Sequence, residues 1–166
     1  MLKFAFTGPE SSGKSTASLW CSDRLSAQHI EEFARAYLAN SLTYSMEDLD
    51  YIALEQFKRN MQDAPLVVCD TEMLVMKIWS EEKYKKCSDQ IRVLWESQEF
   101  DHYFLCKPDI PWEEDPLREN PKDRDRLFSI YENQLKELNL PYSILLGSRH
   151  QRQKRMDEVL HNFSLL

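Results

Sequence analysis

Apolar positions along the chain fall into short continuous runs separated by amphipathic stretches. Leu2-Lys-Phe-Ala-Phe-Thr7, Pro65-Leu-Val-Val-Cys-Asp70 and Tyr103-Phe-Leu-Cys106 are too short for helices and lack a solvent-facing alternation. That is the pattern of strands buried on both faces of a parallel sheet. Ala27 to Glu32 and Pro141 to Leu146 read as two further strands. Between them the period changes to 3.6. A helix is expected over 15–25 with Leu19, Trp20 and Leu25 on its apolar side, and another begins near Phe33. Ser45-Met-Glu-Asp48 resembles a capping box, with Asp where Glu or Gln is usual, and opens a helix running to about Gln62. Leu74, Val75, Ile78 and Trp79 mark a helix for which Thr71 is the expected cap, and helices over 88–97, 125–138 and 149–163 follow. Strands alternating with helices imply right-handed crossovers, hence a single α/β domain over 1–166 with three layers and a five-stranded parallel sheet. From 107 to 126 the texture differs: Pro108, Pro111, Pro116 and Pro121 stand among dense charges. A core element would not tolerate them, so about 108–126 is expected to form a lid.

Composition narrows the function classes. The 166 residues carry 21 Lys and Arg against 28 Asp and Glu, a net charge of −7. Such a field repels phosphate backbones, so a nucleic-acid partner is not expected. No run approaches the roughly 18 apolar residues of a membrane span, and the N-terminus lacks a charged leader and cleavage site. The expectation is a cytoplasmic protein without a membrane partner. Cys21, Cys69, Cys87 and Cys106 are widely spaced and read as packing thiols. His29, His102, His150 and His161 show no ligand spacing. Nothing in the sequence fixes an oligomeric state.

Three glycines is a low count, against about 12 for an average chain of this length, and two of them lie in one motif. Gly8-Pro9-Glu10-Ser11-Ser12-Gly13-Lys14-Ser15 fits the G-x-x-x-x-G-K-[ST] phosphate loop, followed by Thr16 and flanked by a strand and a helix as the motif requires. Gly8 and Gly13 permit backbone torsions that turn amide N–H groups toward phosphate oxygens. Lys14 adds a charge between β- and γ-phosphates, and the Ser15 hydroxyl suits Mg²⁺. The expected cofactors are therefore ATP and Mg²⁺. In a doubly wound sheet the ligand lies at the carboxyl ends of the strands, where Gly8, Glu32, Asp70, Lys107 and Gly147 all fall.

Asp70 ends its strand as a metal-shell carboxylate or an acceptor of the hydroxyl proton; the plainer reading is a helix cap shared with Thr71. Glu31 and Glu32 would point to opposite faces of a strand, so one of them reaches the site, and Glu32 is the expected one. Arg35 lies beside it on the acceptor side. Trp112 has little core to join in its charged loop, which suggests ring stacking. Arg118, Arg124 and Arg126 flank the same segment, either to close over the γ-phosphate or to balance Glu113, Glu114, Asp115 and Asp123. Arg149 stands in a basic stretch after the fifth strand that lacks the interleaved aromatics of a nucleic-acid patch, so a loop under the adenine followed by a solvated helix face is expected there.

Gly8-Pro-Glu-Ser-Ser-Gly-Lys-Ser-Thr16, Glu32-Phe-Ala-Arg35-Ala-Tyr37, Asp70-Thr71 and Trp112-Glu-Glu-Asp-Pro-Leu-Arg118 together resemble the ribosylnicotinamide kinase domain of NadR-type proteins, nearly end to end. The resemblance implies ATP-dependent phosphorylation of the ribose 5′-hydroxyl of nicotinamide riboside. It gives Lys14 and Ser15 to ATP·Mg²⁺, Asp70 to metal or hydroxyl, and Glu32, Arg35 and Tyr37 to the substrate. Trp112 would take the cationic pyridinium ring, which an aromatic face attracts. Because the chain starts seven residues before its phosphate loop, it is expected to lack the transcriptional and adenylyltransferase activities of the multifunctional relatives. Asp70-Thr-Glu72 departs from members with a further Asp and leaves the division between metal ligand and base open. The alternatives are a kinase for another nucleoside or sugar, or a nucleotide-driven switch, although no guanine-reading N-K-x-D motif is present.

Overall fold

Because neighbouring residues of the central strands are both apolar, each strand must be covered on two sides, and the computed structural model is layered accordingly. It describes residues 1–41, 43–114 and 122–166. Strands β1 (Leu2–Thr7), β2 (Gln28–Ile30), β3 (Leu66–Asp70), β4 (His102–Cys106) and β5 (Tyr142–Leu145) are all parallel, in the order β2-β3-β1-β4-β5. Phe4, Phe6, Val68, Phe104 and Leu145 face one layer, made by α1 (Lys14–Leu25) and α7 (Arg149–Asn162). Ala5, Val67, Cys69, Tyr103 and Leu105 face the other. There α2 (Phe33–Leu38), α3 (Met46–Asn60), α4 (Met73–Tyr84), α5 (Asp89–Ser97) and α6 (Arg124–Glu137) supply the cover. None of the described helices is long and apolar enough to cross a membrane. Cys21, Cys69 and Cys106 are buried in these layers, and burial pushes the Cys21 and Cys106 thiols up to about 12.

Three local expectations need correction. The second strand ends at Ile30, two residues earlier than its apolar run suggests, so Glu31 and Glu32 lie beyond the pleat and the alternation argument does not separate them. Glu32 is instead the N-terminal cap position of α2. Thr71 does not cap α4: the Glu72 carboxylate accepts from Leu74 N, while Thr71 sits at φ 87° with its hydroxyl buried and unpartnered among the described residues. On α1 the buried face is Ala17, Ser18, Cys21 and Ser22, and Leu19 is 51% exposed. Small residues let the helix lie close to the sheet, and the Ser18 and Ser22 hydroxyls return to Ser15 O and Leu19 O. Ser45 does form a capping box with Asp48.

The fold carries one built-in pH liability. His102 on β4 is buried between Phe104 and Phe163, its Nε2 unpartnered among the described residues, and burial together with the Arg155 charge lowers its pKa from 6.5 to about 4. The unfolded ring takes a proton below about pH 6.5 whereas the folded ring resists until about pH 4. Stability should therefore fall as pH drops through that window, by about 3 kcal/mol. Urea unfolding at several pH values should show a flatter curve for His102→Phe than for the parent, and parallel curves would contradict the assignment.

Candidate active site

Gly8 follows directly on β1 and has φ 130°; a Cβ there would stand 2.6 Å from the Cys106 carbonyl, so only glycine fits the turn into the phosphate loop. Gly13, at φ 85°, turns the chain into α1, whose first turn contains no acid and whose positive end faces the loop. The Lys14 ammonium donates to Gly8 O (3.0 Å) and Pro9 O (2.9 Å), closing the loop on itself. Ser12 Oγ donates to Pro9 O at 2.7 Å. Arg152 of α7, almost wholly buried, clamps the loop from behind. It donates to Ser12 O (2.6 Å), Lys107 O (2.7 Å) and Gly147 O (3.1 Å) and pairs with Asp109, which also accepts from Gly147 N.

Three acids gather at the carboxyl ends of β2 and β3. Asp70 closes β3 beside Phe6, 4% exposed, and its Oδ1 has no partner among the described residues. Glu72 is fully buried and accepts from Thr7 Oγ1 (2.6 Å), Gln98 Nε2 (2.6 Å) and Leu74 N (2.6 Å). Burial nevertheless raises its pKa above the carboxylate norm. Glu32 is paired with Arg35 Nε at 2.9 Å. Burial raises its pKa, the Lys14 charge opposes this, and the Asp70 charge adds to it.

One cavity of about 680 Å³ joins these parts. Gly8 through Thr16 line it together with Glu31, Glu32, Arg35 and Asp70, and Ala34, Val75, Ile78, Trp79, Leu127 and Tyr131 add apolar wall, with Glu82 and Lys83 beside Trp79 on α4. Trp79 is held by its Nε1–H donating to Tyr44 Oη at 2.7 Å. Sequence reasoning found Trp79 only as part of an apolar helix face, because periodicity does not distinguish a core wall from a cavity wall; Tyr131 and the Arg152 clamp carried no local signal. Trp112 does not line the cavity. It is half-buried, with the Arg124 guanidinium 5.5 Å from its ring centre. Arg124 donates to Ser11 O (2.9 Å) and Ile110 O, and Glu113 N donates to Ser11 Oγ, so residues 110–113 lie on the phosphate loop. Tyr37 is also outside the lining: its hydroxyl donates to Asp48, and its ring lies beside Phe33 and Tyr51. Arg149 lines a smaller recess of about 170 Å³ on the other side of Gly13, with Thr16, Trp20 and Ser148. Arg118 lies outside the described residues, as do the other residues from 115 to 121 of the segment expected as a lid.

A family model described as an AAA domain matches residues 3–152. Among solved structures, a NadR protein in complex with NAD and AMP-PNP superposes at a TM-score of 0.78 with 19% identity, over 96% of this chain and 49% of that one. A NadR protein in complex with NR gives 0.75 and 19%, over 96% and 51%. A deoxyadenosine kinase from M. mycoides with products dCMP and dCDP gives 0.68 and 15%, over 96% and 100%. The chain thus spans about half the length of the NadR chains, and at these identities the likeness is one of fold. No curated protein matches.

Proposed function

The chain belongs to the AAA domain family, and on that premise we propose that it is an ATP-dependent small-molecule kinase whose acceptor is the ribose 5′-hydroxyl of nicotinamide riboside. One observation carries the reading: the phosphate loop, Asp70, Glu32 and the aromatic ring of Trp79 line the same cavity. NadR with NR and a deoxyadenosine kinase among the similar folds support a nucleoside acceptor.

In this mechanism the loop from Gly8 to Thr16 receives the phosphates of ATP, with Arg149 beside the adenine. Lys14 leaves its loop carbonyls to meet the β- and γ-phosphates. Asp70 and Ser15 offer hard oxygen donors of the kind Mg²⁺ takes alongside phosphate, and the buried, unpartnered Asp70 oxygen fits that use. When bound, the ion neutralises charge building on the phosphate oxygens. Glu32, whose pKa burial raises and whose carboxylate Arg35 holds in the cavity, is assigned as the base. It takes the proton from the 5′-hydroxyl as that oxygen bonds to the γ-phosphorus and the bond to the β,γ-bridging oxygen breaks, releasing ADP. Arg35 orients Glu32. Arg124, which reaches the phosphate loop through Ser11 O, and Arg118 are the candidates for the charge on the transferring group. A cationic pyridinium ring would rest on Trp79, while Trp112 and Tyr37 contribute to the surrounding walls on closure.

Incubation with γ-labelled ATP, Mg²⁺ and a panel of nucleosides should convert nicotinamide riboside with the highest kcat/KM; a preference for adenosine, cytidine or uridine would overturn the acceptor. Trp79→Leu should weaken acceptor binding about five- to thirtyfold by removing the cation–π face, and Trp79→Phe should weaken it less. A larger loss in Trp112→Leu than in Trp79→Leu would return the ring to Trp112.

A further inference from the structure

Glu32 and Asp70, the two acids assigned to the chemistry, are carried on backbone that the sheet does not tie together. β2 pairs with β3 through Gln28↔Val67, His29↔Val68 and Ile30↔Cys69, and there the ladder stops. Glu31 and Glu32 leave the sheet while β3 runs on to Asp70 beside Phe6. Beyond the last rung, two side chains of α3 continue the connection. Gln56 Oε1 accepts from Phe33 N at 2.7 Å, and its Nε2 donates to Glu31 O at 3.3 Å, so the one amide brackets Glu32 from both sides. The same Nε2 donates to Asn60 Oδ1 at 2.9 Å, one helical turn on, and Asn60 Nδ2 donates to Thr71 O at 3.2 Å. Both side chains are fully buried and every polar atom of the two amides has a partner.

What the far end holds is itself a constrained point. Thr71 has φ 87°, a left-handed conformation that a β-branched residue adopts only when its surroundings impose it. Its N–H donates to Phe6 O and its C=O is taken by Asn60. Without Asn60 the Thr71–Glu72 peptide, one residue beyond Asp70, would lose that carbonyl contact, and without Gln56 the peptides flanking Glu32 would lose both of theirs.

We propose that Gln56 and Asn60 are positioning residues: they add a side-chain rung to the β2–β3 pairing and so set the separation of the Glu32 and Asp70 carboxylates. The role in catalysis rests on the kinase reading of the site; the geometric role does not. A misplacement of about 1 Å at a reacting group can cost about a hundredfold in rate. A buried pair that merely satisfied backbone groups would lower stability and leave the folded enzyme's turnover intact.

The test compares wild type with Gln56→Met, which keeps length and apolar volume but forms none of the bonds. Crystal structures should show the two carboxylates displaced relative to one another by about 1 Å, and kcat per folded molecule should fall about tenfold to a hundredfold with KM for ATP within about threefold. Superimposable carboxylates, or unchanged kcat alongside a lowered melting temperature, overturn the proposal. Should Gln56→Met fail to fold, Asn60→Ser shortens the rung from one end and carries the same readouts. A wild-type protein that phosphorylates nothing in the panel would overturn the proposed function, and the carboxylate separation would still decide the positioning role.

Discussion

Lys14→Ala is expected to lower turnover by about a thousandfold while Mg²⁺-ATP binds with an affinity reduced by about tenfold or less. The asymmetry follows from where the charge is used. Backbone amides of the loop and the positive end of α1 already meet the ground-state phosphates, so binding retains most of its donors. The ammonium matters most when negative charge spreads between the β- and γ-phosphates, and no other described cation of the loop replaces it. Stability should change little, because the bonds it gives up go to Gly8 O and Pro9 O at the rim of a cavity that water enters. Single-turnover transfer rates and ATP titration on the same preparation separate the two effects, and a variant with near-parental kcat would remove Lys14 from the chemistry.

Lys14 was legible in the sequence because its meaning is local: a strand, a glycine-framed loop and a helix within 25 residues. The five strands were legible for the same reason, since an apolar run such as Leu66–Asp70 has nowhere to go except between two covering layers. Misreadings arose where a hydrophobicity pattern underdetermines what it faces. Leu19 looked like core on α1, but close approach to the sheet selected Ser18 and Ser22, whose hydroxyls are satisfied within the helix. Trp79 reads as core by its spacing and turns out to wall the cavity. Trp112 was marked only by standing in a charged loop, and no sequence pattern pointed to the Arg124 guanidinium that lies over its ring.

What the sequence could not disclose is the set of contacts that hold the loops in place, because their partners are far apart in the chain. Glu72 joins Thr7 to Gln98, and Gln56 joins the flanks of Glu32 to Asn60. Nothing in the local texture of α3 or α5 marks these amides as anything but surface polar residues. They become visible only once folding buries them and a partner must be found for each.

The strongest of these distant contacts yields the largest expected effect on stability. Arg152→Met should destabilise the fold by about 3 to 5 kcal/mol, or about 10 °C in melting temperature. The methionine fills similar volume, so a cavity contributes little. The loss comes from three carbonyls, Ser12 O, Lys107 O and Gly147 O, and from the Asp109 carboxylate, all of which the guanidinium serves at once. Asp109 would retain its bond from Gly147 N, which limits the cost at that end. Arg152→Lys should recover little of it, because a single ammonium on a flexible stem cannot reach three diverging carbonyls in the plane that a guanidinium fork spans. The same variant should loosen ATP binding, since Ser12 belongs to the phosphate loop and Gly147 to the loop beside the second recess. Urea unfolding and ATP titration test both parts. A loss under about 1 kcal/mol in Arg152→Met would mean that water replaces the guanidinium, and that the phosphate loop keeps its shape through Gly8, Gly13 and its own side chains alone.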